Sequence, residues 1–255
     1  MTAKISPIDK NKHAKFKVKG NDLSNTAAQH LCPALAQEFP QLAAEFPIVF
    51  VKDDTSGHFH SVAMLGLKPG ENLYLQGNKW QANYIPTALR TYPFSLTKAD
   101  AKGERLAVCI DEGSALVNAE GTEGNALFNH DGSESEYLKN IGSFLTTVMS
   151  QGRFTDDFSK YLGELGLFEA QTITVKLDDG SDHSLTGVFR IDEVKLNALS
   201  NDDFIKLREL SYLPAIYAHL ASLRQVNNLG RLNALRGKAS QPEANAATEA
   251  KGQAH

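Results

Sequence analysis

Apolar and polar positions follow two different rhythms along the 255 residues of this chain, and the change of rhythm divides it. Residues 14–18, A-K-F-K-V, alternate apolar and basic, which predicts a first strand with one wet face. Pro33 is suited to open a helix, where its missing N–H would be unsatisfied anyway. Leu35, Phe39, Leu42 and Phe46 follow at spacings of four, three and four, a helical stripe. Pro40 interrupts that stripe, so a kink or two short helices are expected. After Pro47, residues 48–51 (I-V-F-V) read as a buried strand. Turns at 53–57 and 68–70 set off further strands at 61–67 and 72–76, the signature of a β-meander.

The second half changes to a period near 3.6. Residues 105–110 read as a central strand closed by Asp111 and Glu112, and residues 112–136 as the longest loop. Ser133 and Glu136 have the spacing of a capping box. Leu138, Ile141, Leu145 and Val148 form one stripe, and Phe154, Phe158, Tyr161 and Leu165 another. Gly152 between them predicts two short amphipathic helices, with Gly166 stopping the second. Residues 172–177 and 184–191 flank Asp178-Asp179-Gly180, a hairpin signal. Ser200 with Asp203 and then Pro214 open the last helices, and Ile216, Leu220 and Leu223 are expected to face inward. The fold class expected is α+β: an antiparallel sheet, meander plus later hairpin, covered by amphipathic helices. A single domain over 1–236 is expected, with a disordered tail over 237–255, where apolar periodicity stops.

Composition narrows the function classes. The net charge of −4 gives no reason to expect nucleic-acid binding. No apolar run reaches the roughly 20 residues of a membrane helix, and the N-terminus carries no apolar h-region. Cys32 and Cys109 stand apart and read as reduced, buried thiols. A cytoplasmic location is expected.

The densest stretch is 80–94, W-Q-A-N-Y-I-P-T-A-L-R-T-Y-P-F, with Arg90 its single charge. Too apolar for a solvated loop, it is expected to be pinned to the body through Tyr84, Leu89 and Phe94. It belongs to a series of ordered phrases. These are His13 in its basic strand, P-A-L-A-Q-E-F-P-Q-L-A-A-E-F-P-I-V-F (33–50), V-A-M-L-G-L-K-P-G-E-N-L (62–73), L-A-V-C-I-D-E (106–112), I-D-E-V-K-L-N-A-L (191–199) and I-Y-A-H-L-A-S-L (216–223). In that order they resemble the SapC-like family of bacterial proteins, over nearly everything except the tail. The resemblance implies an association with a paracrystalline surface layer, from which the family takes its name. It also implies company with outer-membrane receptor, flavin-halogenase-like and cupin-like functions, and it supplies no catalytic residues.

Candidate chemistry is sparse. His13 and His219 could serve as bases or ligands, or could simply satisfy backbone groups in the interior. His58 and His60 share a strand face, but no spacing supplies a third metal ligand, and neither a metal nor a cofactor is expected. Asp111-Glu112 and Asp192-Glu193 are placed either for function or for capping. Arg90, between Tyr84 and Tyr92, could clamp a carboxylate, stack on those rings or pair with Asp111. Ser114 and the cysteines have no base at a recognisable spacing. The expected function is an accessory or binding protein, working with a partner enzyme or an uptake or surface-associated system. Its ligand-binding candidates are Trp80, Tyr84, Arg90, Asp111, His219 and His13, for a small polar ligand or a protein partner. The alternatives are an enzyme using a histidine–carboxylate site and a surface-layer structural protein. The oligomeric state does not follow from the sequence.

Overall fold

The computed structural model describes residues 4–20, 22–98, 105–176 and 182–239. The expected α+β class holds, with helices packed on antiparallel sheets. The main sheet has five strands in the spatial order Phe168–Lys176, Asp182–Ile191, Ile48–Lys52, Phe59–Met64, Leu31–Pro33, and every pairing is antiparallel. The late hairpin therefore joins the early strands, with Phe189 opposite Phe50 and Val188 opposite Val51. Its expected turn at 178–180 lies outside the described residues. Phe50 shows why the I-V-F-V run is central. Its ring meets Phe158 at 6.4 Å, Phe168 at 4.6 Å and His219 at 5.1 Å, so one sheet face receives two helices through one side chain.

The meander is shorter than its apolar pattern predicts. Strand 61–67 is found as Phe59–Met64, and 72–76 contributes only Leu75–Gln76, paired with Lys79–Trp80 in a separate ribbon. Residues 14–18 reduce to Lys17–Val18, flanked by Val117–Asn118 and Asn125–Ala126. A further three-stranded sheet sets Leu106–Asp111 between Ile5–Pro7 and Phe94–Lys98, so strand 105–110 is central, but in a second sheet. Pro33 ends the edge strand Leu31–Pro33 instead of opening a helix; at an edge its missing donor costs nothing. The stripe behind it forms a 3-10 turn, Ala36–Glu38, and a one-turn helix, Phe39–Leu42, with Pro40 in the first turn. All four stripe residues are buried.

Two cores result. The larger lies on the five-stranded sheet; the smaller gathers Val18, Phe94, Ile110, Leu116, Leu127, Leu138 and Leu145. They are joined by Glu136–Glu164, one continuous helix of 29 residues where two were expected. At 1.5 Å per residue it runs about 43 Å, enough to put Leu138 and Leu145 in one core and Phe158 and Leu162 in the other. Gly152 does not break it, although no residue between Leu145 and Thr155 is buried, because the helix is held at both ends, by Leu138 and Leu145 in one core and by Phe158 and Leu162 in the other. One interior glycine costs only about 1 kcal/mol against alanine. The cap is Ser135, not Ser133. Ser135 accepts the Leu138 N–H at 3.1 Å, while Ser133 donates to Asp131 in the preceding turn. Gly166, at φ +67°, does stop the helix.

The last third forms Asn201–Glu209, Leu213–Ser222 and Val226–Ala239. Ser200 caps the first of these as expected, accepting the Asp203 N–H. In the second, Ile216 is buried, and Leu220 and Leu223 pack half-buried against the main core. The third packs on strand Phe168–Lys176 and buries Leu229 and Leu232, an element the falling apolar content had concealed. That helix continues to Ala239, three residues into the tail expected from 237, and the rest of the expected tail lies outside the described residues.

His219 clamps helix to sheet. Its Nε2 accepts the Ile191 N–H at 3.0 Å, and its carbonyl accepts from Ser222 Oγ, which in turn accepts the Ile48 N–H at 3.0 Å. Burial, the largest effect, pushes its pKa down from 6.5 to about 3. Between these values only the unfolded chain takes up the proton, so stability should fall as pH falls from 6.5 towards 3, by up to about 1.4 kcal/mol per pH unit. His219→Gln retains an acceptor without this titration. Denaturant unfolding at pH 7, 6, 5 and 4 should show a flatter profile for the variant, and parallel profiles would refute the assignment. For the helix cap, Ser135→Ala should cost about 1 kcal/mol and Ser133→Ala much less, read from the same unfolding curves.

Candidate functional site

The segment 80–94 is held by two carboxylates seven residues apart, in the repeated phrase E-F-P. Glu38, 6% exposed, accepts the Leu35 N–H on Oε1 and both the Thr87 N–H and the Tyr84 hydroxyl on Oε2, at 2.8–3.0 Å. Glu45 accepts the backbone N–H groups of Asn83 and Tyr84. Trp80 completes the attachment. Its indole N–H donates to the Tyr84 carbonyl at 2.9 Å, and its ring lies 6.2 Å from Phe46. Leu89 then enters the large core and Phe94 the small one, both buried as expected, with Tyr84 half-buried between its polar contacts.

Between these anchors the chain turns through Thr87–Arg90 and a cis Tyr92–Pro93 bond, and Arg90 is left exposed. It stands at a cleft of about 550 Å³, closed on the other side by the long helix through Tyr137, Asn140, Ile141 and Phe144. The Arg90 guanidinium lies 5.2 Å over the Phe144 ring. Among the described residues it forms no ion pair. Ile85, Leu89, Phe94 and Leu116 supply apolar wall, Tyr92, Tyr137, Asn125 and Asn140 supply neutral polar groups, and Asp22, whose Oδ1 accepts the Ser24 N–H, adds a carboxylate to the lining. Burial raises the pKa of the Tyr137 hydroxyl. Lys19, also on the rim, is engaged with Glu123 at 2.9 Å. A guanidinium over a ring and without an ion pair among the described residues can take a carboxylate through two parallel N–H donors.

The family model SapC matches residues 8–229, which take in every wall of this cleft. The chain belongs to the SapC family. No curated protein and no solved structure matches it. The matched span thus covers the small core, all of the large one except Leu232, and both glutamates that fasten the Arg90 segment.

The remaining candidates occupy separate places. His13, fully buried, accepts the Asp9 N–H on Nδ1 at 2.9 Å, which leaves Nε2 to donate to Glu112 at 3.3 Å. Glu112 also receives Lys12, Ser6 and Lys4, which hold its carboxyl well below the usual range, Lys12 contributing most. This cluster ties the N-terminal strand to the end of Leu106–Asp111. Asp111 accepts from the Lys4 and Gly113 N–H groups and from the Tyr92 hydroxyl at 3.4 Å, so it touches the cleft through Tyr92 only. His219 lies in the main core, against Phe50. Arg90, Asp111 and His219 are therefore held by three different sets of contacts, and of the three only Arg90 lines the cleft. Asp192 caps the helix Glu193–Asn197. Cys32 and Cys109 are buried, and desolvation raises both thiol pKa values. Among the described residues no group of His, Cys, Asp and Glu is placed to hold a metal ion.

Sequence reasoning missed Tyr137, Asn140 and Phe144. Their spacing of three and four was visible as a helix face, but read by itself it indicates only another core stripe. One prediction concerns the anchor. Glu38→Gln replaces one acceptor oxygen with a donor facing N–H or O–H groups, so it should cost about 1–3 kcal/mol in denaturant unfolding. An unfolding midpoint equal to that of the parent chain would show that Glu38 does not hold the segment.

Proposed function

We propose that this SapC-family protein is a non-catalytic accessory or binding protein, and that the Arg90 cleft is the seat of a small carboxylate-bearing ligand. The observation that carries the reading is the unpaired guanidinium on Phe144, at the mouth of a half-apolar cleft. A volume of about 550 Å³ falls within the range of about 300–1,000 Å³ occupied by ordinary ligand pockets. The ligand would place its carboxylate on Arg90 and an apolar or aromatic body against Leu89, Phe94 and Phe144. Such a protein would work in the cytoplasm beside a partner enzyme or an uptake system.

The enzyme alternative draws least from the histidines. His13 does reach a carboxylate, but its ring is fully buried, both nitrogens are engaged, and it lines none of the cavities described. His219 is equally enclosed, and its low pKa keeps it unprotonated across the physiological range. Both histidines do architectural work.

Isothermal titration with aromatic and branched aliphatic monocarboxylates, each paired with its neutral amide, tests the proposal. Carboxylates should bind and amides should not. Arg90→Lys keeps the charge and loses the fork, and it should weaken binding about 10–100-fold, the value of a charge-assisted pair, with an unchanged melting temperature. Equal binding by parent and variant, or a fall in melting temperature with binding intact, would make Arg90 a structural residue and remove the cleft's function.

A further inference from the structure

A second cavity, of about 390 Å³, lies on the same helix one turn further along, and its chemistry differs from that of the Arg90 cleft. It arises from the architecture. The long helix leaves the small core at Leu145 and enters the large one near Phe154, and between them Val148 and Met149 belong to neither core. Those two side chains, with Leu145, Phe94, Leu96 and the exposed Leu106, make an apolar floor. Lys98 stands at the end of its strand and Arg153 lies further along the helix, both on the cavity wall and both exposed. Among the described residues no carboxylate lines the cavity and neither cation forms an ion pair. Asp156 and Asp157, which follow Arg153 in sequence, are outside the lining and form no ion pair with it.

We propose that this cavity binds a free single-chain anionic amphiphile of the fatty-acid class, its chain on Leu96, Val148 and Met149 and its carboxylate between Lys98 and Arg153. Three features select that occupant. An apolar floor in a cavity of this size accepts one alkyl chain, whose burial is favourable in proportion to its length. Two exposed cations on the wall, with no carboxylate among its described lining residues, favour an anion over a neutral or cationic head. Methionine adjusts its unbranched side chain to a flexible ligand more easily than a branched residue does. The site stands independently of the Arg90 reading, because the two cavities share only Phe94 in their linings.

Methionine methyl NMR on the full chain provides a test with a built-in control. Met149 reports on the cavity, and Met64, 1% exposed in the large core, reports on global change; Met149→Leu assigns the signal. Titration with decanoate and dodecanoate below their micelle concentrations should move the Met149 methyl saturably and leave Met64 in place. Affinity should fall about fourfold for each methylene removed. The double substitution Lys98→Glu and Arg153→Glu should weaken binding at least tenfold while the Met64 signal keeps its position, and Arg90→Lys should leave binding unchanged. An unmoved Met149 signal at saturating dodecanoate would overturn the proposal. So would equal affinity for decanol, or equal affinity after charge reversal, since either shows an apolar surface without anion selection. A response to anionic phospholipid vesicles and none to monomeric acid would overturn it in favour of a membrane-facing patch. Loss of binding in Arg90→Lys would assign the ligand to the neighbouring cleft instead.

Discussion

The fold depends on a buried carboxylate that has no cation partner among the described residues. Glu38 sits 6% exposed and is satisfied by two backbone N–H groups and a phenol. Taking an ionised carboxylate out of water is expensive unless its oxygens find donors, and three directed donors meet that demand without a salt bridge. The arrangement binds in both directions. Leu35 and Thr87 would be left with orphan N–H groups if the carboxylate were removed, so residues 33–47 and 80–94 each need the other. Glu45 repeats the device seven residues later, and both glutamates precede Phe-Pro. Arg90 lies three residues beyond the Thr87 N–H that Glu38 holds. The position of the one charge in the segment is thereby set by a residue that never touches the cleft.

A second constraint follows from the long helix. A rod of 29 residues cannot be covered along its whole length by one core of this size, so two cores share it. Where one ends and the next has not begun, apolar side chains lack partners, and hollows form. Both cavities on this part of the helix lie at that junction: Phe144 faces the Arg90 cleft, and Val148 and Met149 face the other. A larger hollow of about 1040 Å³ lies near the helix start, but Asp9, Lys10, Glu134 and Lys139 give it mixed charge and no directed chemistry.

What was legible in the sequence was local. The stripe through Leu35, Phe39, Leu42 and Phe46, the run Ile48–Lys52, the late hairpin and the Ser200 cap each depend on neighbours within a few residues. What was hidden depended on distance or on competing local signals. Ile5–Pro7 pairs with a strand about a hundred residues away, which no periodicity announces. Two serines two positions apart could each cap the long helix, and the turn made by Asn129, Asp131 and Ser133 decided for Ser135. Gly152 suggested a break because it lies between two stripes; the stripes serve two cores, and one helix carries both. The cleft was the least legible feature. Arg90 was visible as the lone charge in an aromatic segment, but its partner surface comes from a helix face whose spacing resembles any core stripe.

The histidines show why phrases shared across a family need not mark chemistry. His13 and His219 both use a ring nitrogen to accept a backbone N–H, and both are fully buried. An imidazole in that role ties two elements together at a point where a side-chain acceptor can reach and a carbonyl cannot. It has to remain unprotonated on the accepting nitrogen, which is the opposite of what an exchangeable base requires. The same holds for Asp192, spent on a helix cap, and for Glu112, saturated by lysines, a serine and His13. Apart from His219 Nδ1, which has no hydrogen-bond partner but is enclosed in the main core, these groups have their polar atoms engaged by the fold. Arg90 differs because its partner is the Phe144 ring, and among the described residues its guanidinium forms no ion pair. Polar capacity that the architecture does not consume is what a ligand can use, and here it borders the junction between the two cores.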